Sequence, residues 1–218
     1  MKLAVLFDLD GTLLDTIEDL ADASNAALAS LGFSSHPVDA YRYFVGDGVE
    51  TLMRRALPPE AAGDEKVVKR AVDLQRAEYR HRWHEKTRPY PGVMELLAEL
   101  ERRHVRMAIL SNKPGPADDE EVRHNFSSVQ FEIARGAQPG VPVKPDPGSA
   151  LRVAEEMGVE PADFLYLGDT NTDMLTARAA GMLPIGALWG FRTEAELREA
   201  GAARLIARPQ DLIGLLTA

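Results

Sequence analysis

Short apolar runs that end in polar residues or glycine constrain the fold of this chain more than any other feature of its sequence. The first run is Leu3–Phe7, which ends at Asp8, and further runs cover residues 105–110, 164–167 and 185–188. Shorter or weaker candidates cover residues 205–207 and 129–133. The runs are nearly continuous and do not alternate with polar residues, which is typical of strands buried on both faces of a parallel sheet.

Segments with helical spacing lie between these runs. Apolar residues recur at helical intervals over residues 95–103, 150–157 and 173–180, and Gly158 and Gly181 follow the last two segments as stop signals. Alternation of strands and helices predicts an α/β fold with right-handed crossovers. We therefore expect a three-layer, Rossmann-like core built on a parallel sheet.

The connection between the first two predicted strands is too long for a loop, because roughly 80 residues remain after the helix at 95–103 is set aside. Helical spacing covers residues 17–31, 48–57 and 64–83, and Pro58 and Pro59 end the second of these segments. This pattern predicts an inserted all-helical cap domain at residues 16–87. The core would then consist of residues 1–15 and 88–218.

Composition excludes several classes of function. The chain has no cysteine, which excludes disulfides, thiol catalysis and cysteine-bound zinc, and its net charge of −9 argues against non-specific binding to nucleic acid. No apolar segment is long enough for a membrane span or a signal peptide, so we expect a cytoplasmic location and no membrane partner. Residues 64–88 are basic, which indicates either a solvated helix face or a positive lid that attracts an anionic substrate.

Two acids follow the first predicted strand directly, in the sequence Asp8-Leu-Asp10-Gly11-Thr12. Residues two apart in extended chain point the same way, so the two carboxylates would repel each other unless a cation lies between them. Oxygen ligands without cysteine favour Mg²⁺. The alternative is that these acids only cap the turn.

Three further polar clusters follow later strands or lie in a stiff loop. They are Ser111-Asn112-Lys113, then Lys144 beside Pro145 and Pro147, and finally Asp169 with Asp173 at the start of a predicted helix. Each cluster alone has a structural explanation: turn chemistry, a solvated lysine, or an acid in the first turn of a helix. Together they supply acids for a shared Mg²⁺ ion, plus a hydroxyl and an ammonium for phosphoryl oxygens, as phosphoryl transfer requires.

The order of these clusters resembles that of the haloacid dehalogenase superfamily, over the whole chain. Residues 8–16 are similar to the first motif of its phosphatase branch, and the helical insertion resembles the cap of that branch. Residues 45–52 resemble the substrate loop of phosphoglycolate phosphatases, and residues 90–93 resemble their return into the core. Ser111 stands where threonine is more usual, which keeps the hydroxyl.

The resemblance implies catalytic roles for four residues. Asp8 would be the nucleophile that forms an aspartyl-phosphate, and Asp10 would protonate the leaving oxygen and then deprotonate water. Ser111 and Lys144 would hold the phosphoryl oxygens. Because superfamily members that act as dehalogenases lack an acid at the position of Asp10, the resemblance argues against that activity.

The resemblance also implies a ligand set for the metal and a set of substrate contacts. Mg²⁺ would be held by Asp8, by the backbone carbonyl of Asp10, and by Asp169, with Asp173 bound directly or through water. Phosphate or substrate contacts are expected at Gly11, Thr12, Asn112, Gly46 and Gly48.

These expectations favour a Mg²⁺-dependent phosphomonoester hydrolase of a small phosphorylated metabolite, with 2-phosphoglycolate as the first candidate. A phosphosugar mutase similar to β-phosphoglucomutase, and a pyrophosphatase or nucleotidase of the same fold, stay open as alternatives. A phospho-accepting switch module is the alternative outside the enzymes. Arg54, Arg55 and Arg88 are either solvated or positioned for a second charge on the substrate, and the chain is expected to be a monomer or a homodimer.

Overall fold

The computed structural model of the protein describes residues 4–114 and 120–216, so Leu3 of the first predicted strand lies outside the described residues. Its strands are β1 (Ala4–Phe7), β2 (Leu14–Asp15), β3 (Arg88–Pro89), β4 (Arg106–Pro114), β5 (Ile133–Ala137), β6 (Phe164–Gly168), β7 (Leu183–Ala187) and β8 (Arg204–Ile206). Its helices are α1 (Ile17–Ser30), α2 (Val38–Phe44), α3 (Val49–Ala56), α4 (Pro59–Ala62), α5 (Glu65–Arg82), α6 (Val93–Arg102), α7 (Glu120–Asn125), α8 (Gly148–Met157), α9 (Asn171–Ala179) and α10 (Glu194–Glu199), with 3₁₀ turns at Pro161–Asp163 and Pro209–Leu215.

The chain divides into two compact units. One unit comprises Met1–Leu14 and Pro89–Ala218, and the other comprises Asp15–Arg88. The chain passes from one unit to the other within β2 and β3, which pair as a two-stranded sheet.

The first unit is built on a six-stranded sheet in the order β5-β4-β1-β6-β7-β8. Every pairing in this sheet is parallel. β1 lies inside the sheet, where Ala4 is opposite Arg106 of β4 and Phe164 of β6. The prediction of an α/β fold with a parallel sheet is therefore confirmed.

Both faces of this sheet are buried, which explains the continuous apolar runs. Val5 and Phe7 of β1 belong to a cluster that also contains Leu96 and Leu97 of α6. Ala4 and Leu6 point to the opposite face, in a cluster with residues of α8 and α9. Because successive strand residues alternate between two helical layers, polar residues are excluded until the strand ends.

The structure differs from the sequence prediction at β4 and β5, and it also contains the two-residue strands β2 and β3, which were not predicted. The weak candidate at residues 129–133 is wrong, since β5 begins only at Ile133. The apolar signal there comes from loop residues, because Val129 and Phe131 pack against the core and Phe131 contacts the ring of Phe126. β4 continues through Ser111 to Pro114, which pairs with Ala137 after a shift in register.

The second unit is helical and comprises α1 to α5, including a helix at Val38–Phe44 that the sequence analysis missed. α1 packs along α5, and the buried side chains include Tyr41 of α2 and Met53 of α3. None of the helices in the described part of the chain is both long and apolar enough to cross a bilayer.

A buried carboxylate fixes the return of the chain in this unit. Asp19 of α1 is 1% exposed. Its carboxylate accepts hydrogen bonds from the backbone N–H of Lys86 at 3.0 Å and from the backbone N–H and hydroxyl of Thr87, both at 2.8 Å. The first helix of the unit is thereby tied to its last residues.

We predict that Asp19→Ala lowers the free energy of unfolding by about 2–4 kcal/mol, because it leaves the two buried donors of Thr87 and the part-buried N–H of Lys86 without this acceptor. The control is Asp22→Ala on the same helix, which removes a solvent-exposed ion pair with Lys86 and should leave the urea midpoint nearly unchanged. Urea unfolding of both variants measures the difference. Equal losses in the two variants would contradict the role assigned to Asp19.

Candidate active site

The polar residues predicted to carry chemistry meet at one edge of the parallel sheet. Asp8 follows β1, Asp169 follows β6, and Ser111 lies in the last part of β4, which neighbours β1. The carboxyl ends of parallel strands share an edge, which is where ligands bind in open α/β sheets. Asp8, Ser111 and Asp169 are all less than one-tenth exposed.

Lys144 lies between two buried carboxylates. Its Nζ donates to Oδ1 of Asp8 at 2.8 Å and to Oδ1 of Asp173 at 2.7 Å, and the lysine is only 3% exposed. Asn112 holds the backbone of Lys144 in place: its Nδ2 donates to the lysine carbonyl at 3.0 Å, and its Oδ1 accepts from the lysine N–H at 2.9 Å. The lysine is therefore a placed charge, as its position in a proline-flanked loop suggested.

Asp169 is fixed by one donor at each of its oxygens. Oδ1 accepts from the hydroxyl of Thr12 at 2.8 Å, and Oδ2 accepts from the backbone N–H of Phe191 at 2.8 Å. Gly11 has a φ of +86°, and a Cβ there would lie 2.3 Å from Oδ2 of Asp169, so only glycine permits this approach. The side chain of Thr12 is thus committed to Asp169, and the predicted contacts of Gly11 and Thr12 with substrate stay predictions.

Asp173 has two roles in the structure. Its Oδ2 accepts from the backbone N–H of Thr170 at 3.1 Å and from the hydroxyl of Thr170 at 2.6 Å, which completes a capping box at the start of α9. Its Oδ1 accepts from Lys144. Asp173 therefore caps α9 and also contacts the lysine of the acidic cluster, and its role as a metal ligand stays a prediction.

Burial and mutual repulsion dominate the electrostatics of this cluster. Burial, and then the charge of Asp173, raise the pKa of Asp8 well above its usual range in spite of Lys144. The same two causes raise the pKa of Asp169 to about 7. Burial alone would lower the pKa of Lys144, but the charges of Asp173 and Asp8 outweigh it and the pKa is raised. One cation is thus shared among three buried acids.

This excess of negative charge fits a divalent cation. Asp8, Asp169 and Asp173 each offer a carboxylate oxygen, and these oxygens lie within 4.8 Å of one another. A set of hard oxygen donors suits Mg²⁺. Among the described residues, the carboxylate of Asp10 is not part of this group, and the predicted contact of the metal with its backbone carbonyl stays a prediction.

Asp10 lies beside Lys113, in the second of the predicted polar clusters. The Lys113 Nζ donates to Oδ1 of Asp10 at 3.2 Å and also contacts the carboxylate of Glu121 on α7. The hydroxyl of Ser111 accepts from the backbone N–H of Lys113 at 3.1 Å. The sequence analysis missed Glu121, because the segment around it matches no motif.

Tyr166 of β6 is the second residue that the sequence analysis missed. It is fully buried, and its hydroxyl lies 3.5 Å from Oδ1 of Asp173. Burial raises the pKa of Tyr166 well above its ordinary value. Its place within an apolar run made it indistinguishable from a core residue.

Gly46 and Gly48 lie in the helical unit, in the loop that precedes α3. Both have positive φ, at +120° and +86°. Arg55 braces this loop, since it donates to the carbonyls of Tyr43 and Phe44 and pairs with Asp47. Substrate contacts by the two glycines stay predictions.

The arginines considered for a second substrate charge already have partners in the structure. Arg54 pairs with Glu50 and Glu65, and Arg55 pairs with Asp47. Arg88 donates to the backbone carbonyls of Thr87 and Glu85. Their geometry is that of braces within the helical unit.

We predict that Asp8→Asn raises the melting temperature of the metal-free protein, because it removes a buried charge that burial and Asp173 disfavour. A carboxyl whose pKa is raised on folding stabilises the fold at low pH, and this contribution is lost as pH rises above its unfolded pKa of about 4. The gain from the substitution should therefore be larger at pH 8 than at pH 5. Thermal unfolding in EDTA measures it, with Asp39→Asn, at a 94% exposed carboxylate, as the control. A lower melting temperature at pH 8 would contradict this electrostatic account.

Comparison with known proteins shows the family to which the chain belongs. The family model for haloacid dehalogenase-like hydrolases matches residues 5–187. The phosphoglycolate phosphatase of Pseudomonas putida is 37% identical over 194 residues, which cover 86% of this chain and 70% of that protein. Phosphoglycolate phosphatase 1 of Pseudomonas aeruginosa is 34% identical over 216 residues, covering 96% and 78%.

Solved structures show the same architecture along the whole chain. A crystal structure from Lactobacillus delbrueckii subsp. bulgaricus, of a protein assigned as a phosphoglycolate phosphatase, superposes with a TM-score of 0.90 at 29% identity and covers 99% of each chain. CbbY of Rhodobacter sphaeroides, crystallised in complex with phosphate, has a TM-score of 0.80 at 24% identity, with 97% of this chain and 96% of that chain covered. The sequence match, the sheet and its acidic edge agree: the chain belongs to the family of haloacid dehalogenase-like hydrolases.

Proposed function

We propose that the protein is a Mg²⁺-dependent phosphomonoester hydrolase that acts on a small metabolite through an aspartyl-phosphate at Asp8. The observation that carries this proposal is the position of Asp8 at the end of β1. One oxygen of its carboxylate is held by Lys144, and the other, Oδ2, accepts no hydrogen bond within the described residues. A carboxylate that is fixed at one oxygen and open at the other is suited to in-line attack on phosphorus.

The reaction has two balanced halves. In the first half, the open oxygen of Asp8 forms a bond to phosphorus, the bond from phosphorus to the leaving oxygen breaks, and a proton passes from Asp10 to that oxygen. In the second half, the oxygen of water bonds to phosphorus, the bond from phosphorus to Asp8 breaks, and a water proton returns to Asp10. The products are an alcohol and inorganic phosphate, and both aspartates are regenerated.

Charge stabilisation is the main contribution that the remaining residues make. Lys144 and the hydroxyl of Ser111 would neutralise the phosphoryl oxygens as charge accumulates on them. Asp8 and Asp169 would hold Mg²⁺, with Asp173 directly or through water, and the ion would supply positive charge to the phosphoryl group when bound. Thr12 and the backbone of Phe191 support this role indirectly, because they orient Asp169.

The substrate we propose first is 2-phosphoglycolate. The relatives named above carry phosphoglycolate phosphatase as their name at 37% and 34% identity over most of this chain. The loop with Gly46 and Gly48 adds the resemblance to the substrate loop of that group. The cytoplasmic location and the monomeric or dimeric state stay predictions from the sequence.

We predict that the wild-type protein releases phosphate from small phosphomonoesters, with the highest kcat/KM for 2-phosphoglycolate. Release should stop in EDTA and return with Mg²⁺, because three buried acids need a cation before they can accept a phosphoryl dianion. A colorimetric phosphate assay over 2-phosphoglycolate, sugar phosphates, nucleotides and pyrophosphate measures this. Asp8→Asn, which removes the nucleophile, should lower kcat at least about 10³-fold.

Three outcomes would contradict the proposal, and each has its own meaning. Formation of an isomeric sugar phosphate faster than phosphate release would identify a mutase. A phosphorylated Asp8 that persists for minutes without turnover would identify a switch module. Full activity in Asp8→Asn would show that the nucleophile is another residue.

A further inference from the structure

A line of three charged side chains leads away from the proposed active site. Asp10, Lys113 and Glu121 follow one another as acid, base and acid, with Lys113 in contact with both carboxylates. The side chains of Asp10 and Lys113 are each 13% exposed, and that of Glu121 is 3% exposed. Asp10 follows β1 and Glu121 belongs to α7, so Lys113 of β4 connects the segment after β1 with α7.

A contribution to the stability of the fold does not by itself explain why these three charged side chains are buried together. Removing two carboxylates and an ammonium from water carries a large desolvation cost, and apolar residues of similar volume often stabilise a fold equally well. A buried ionic group does restrict geometry, because each partner must keep its position for the others to be satisfied. The geometry that is restricted here includes the carboxylate of Asp10.

The contact with Lys113 distinguishes the two oxygens of Asp10. Oδ1 accepts from Lys113 at 3.2 Å, whereas Oδ2 accepts no hydrogen bond within the described residues. The lysine therefore fixes the torsion of a side chain that has only two rotatable bonds. It also leaves one oxygen available for exchange of a proton.

We propose that Lys113, held by Glu121, is a positioning residue that orients Asp10 for proton transfer to the leaving oxygen. The inference rests on the proposed function, since it deepens the role given there to Asp10. Lys113 acts through Asp10 and takes no part in the bonds to phosphorus. A lysine that instead contacted the phosphoryl group would affect all phosphate substrates alike.

Two small substrates separate these roles. The leaving group of 2-phosphoglycolate is an alkoxide that needs a proton, whereas the leaving group of acetyl phosphate is a carboxylate that needs none. Because kcat/KM reports the steps up to the first phosphoryl transfer, we expect Lys113→Met to lower kcat/KM for 2-phosphoglycolate by about 10–100-fold and for acetyl phosphate by less than about 3-fold. The value of kcat for acetyl phosphate should also fall, since Asp10 accepts the proton of water in the second half of the reaction.

Three variants control for folding and for the loss of charge alone. Lys113→Met removes the ammonium that pairs with Glu121, so the double variant Lys113→Met/Glu121→Gln removes both charges together. The double variant should fold and show the same difference in kcat/KM between the two substrates. Lys113→Arg should restore a large part of the lost kcat/KM. Arg106→Met, which breaks an ion pair with Glu132 at the start of the same strand, should leave both substrates unchanged.

The outcomes separate this inference from the proposed function. Equal losses for both substrates in the double variant would overturn the positioning role and indicate direct contact with phosphate, and unchanged kinetics would overturn it as well. If the folded wild-type protein releases phosphate from neither substrate, nor from any other phosphomonoester, the proposed function itself fails.

Discussion

The ammonium group of Lys144 is the contact on which the geometry of the site depends. It lies within 2.8 Å of Asp8 and Asp173, two buried carboxylates that are far apart in the sequence. Without a cation at this position the acids would repel each other in an environment of low dielectric. Asn112 fixes the backbone of the lysine, so the position of the charge is set by β4 as well as by its own loop. With one cation among three buried acids the site keeps an excess of negative charge, which suits a second cation, and only with that cation bound would it accept a phosphoryl dianion.

The parallel sheet places the acids of the site at its edge, and the burial of these acids lowers the stability of the folded state. Apolar residues cover both faces of β1 until Phe7, and the next residue is the proposed nucleophile. The raised pKa of Asp8 and of Asp169 shows that the fold holds these carboxylates in an unfavourable environment. Such local cost is common where function, and not stability, determines the residue. The apolar clusters on both faces of the sheet stabilise the fold and offset the cost of burying these acids.

The fold and the clusters were predictable where the signal is local in sequence. Continuous apolar runs indicated a two-sided sheet, and the acids after them indicated a site at its edge. Contacts between remote residues carried no such signal. Nothing near Lys144 in sequence indicates Asp173, the donor at Phe191 is a backbone N–H without a side-chain signature, and Glu121 lies in a segment that matches no motif. The incorrect strand at 129–133 also results from a contact that is remote in sequence. Phe131 lies in a loop and packs against the core, so its apolar character does not indicate a strand.

The central claim is that a covalent bond forms between phosphorus and Asp8. The most direct measurement is rapid acid quenching of the protein during turnover of 2-phosphoglycolate with Mg²⁺, followed by peptide mass spectrometry. The account predicts that the peptide with Asp8 gains the mass of one phosphoryl group within the first turnover and loses it as substrate is exhausted. Steady turnover with an unmodified Asp8 peptide, or with the phosphoryl group on another residue, would contradict it.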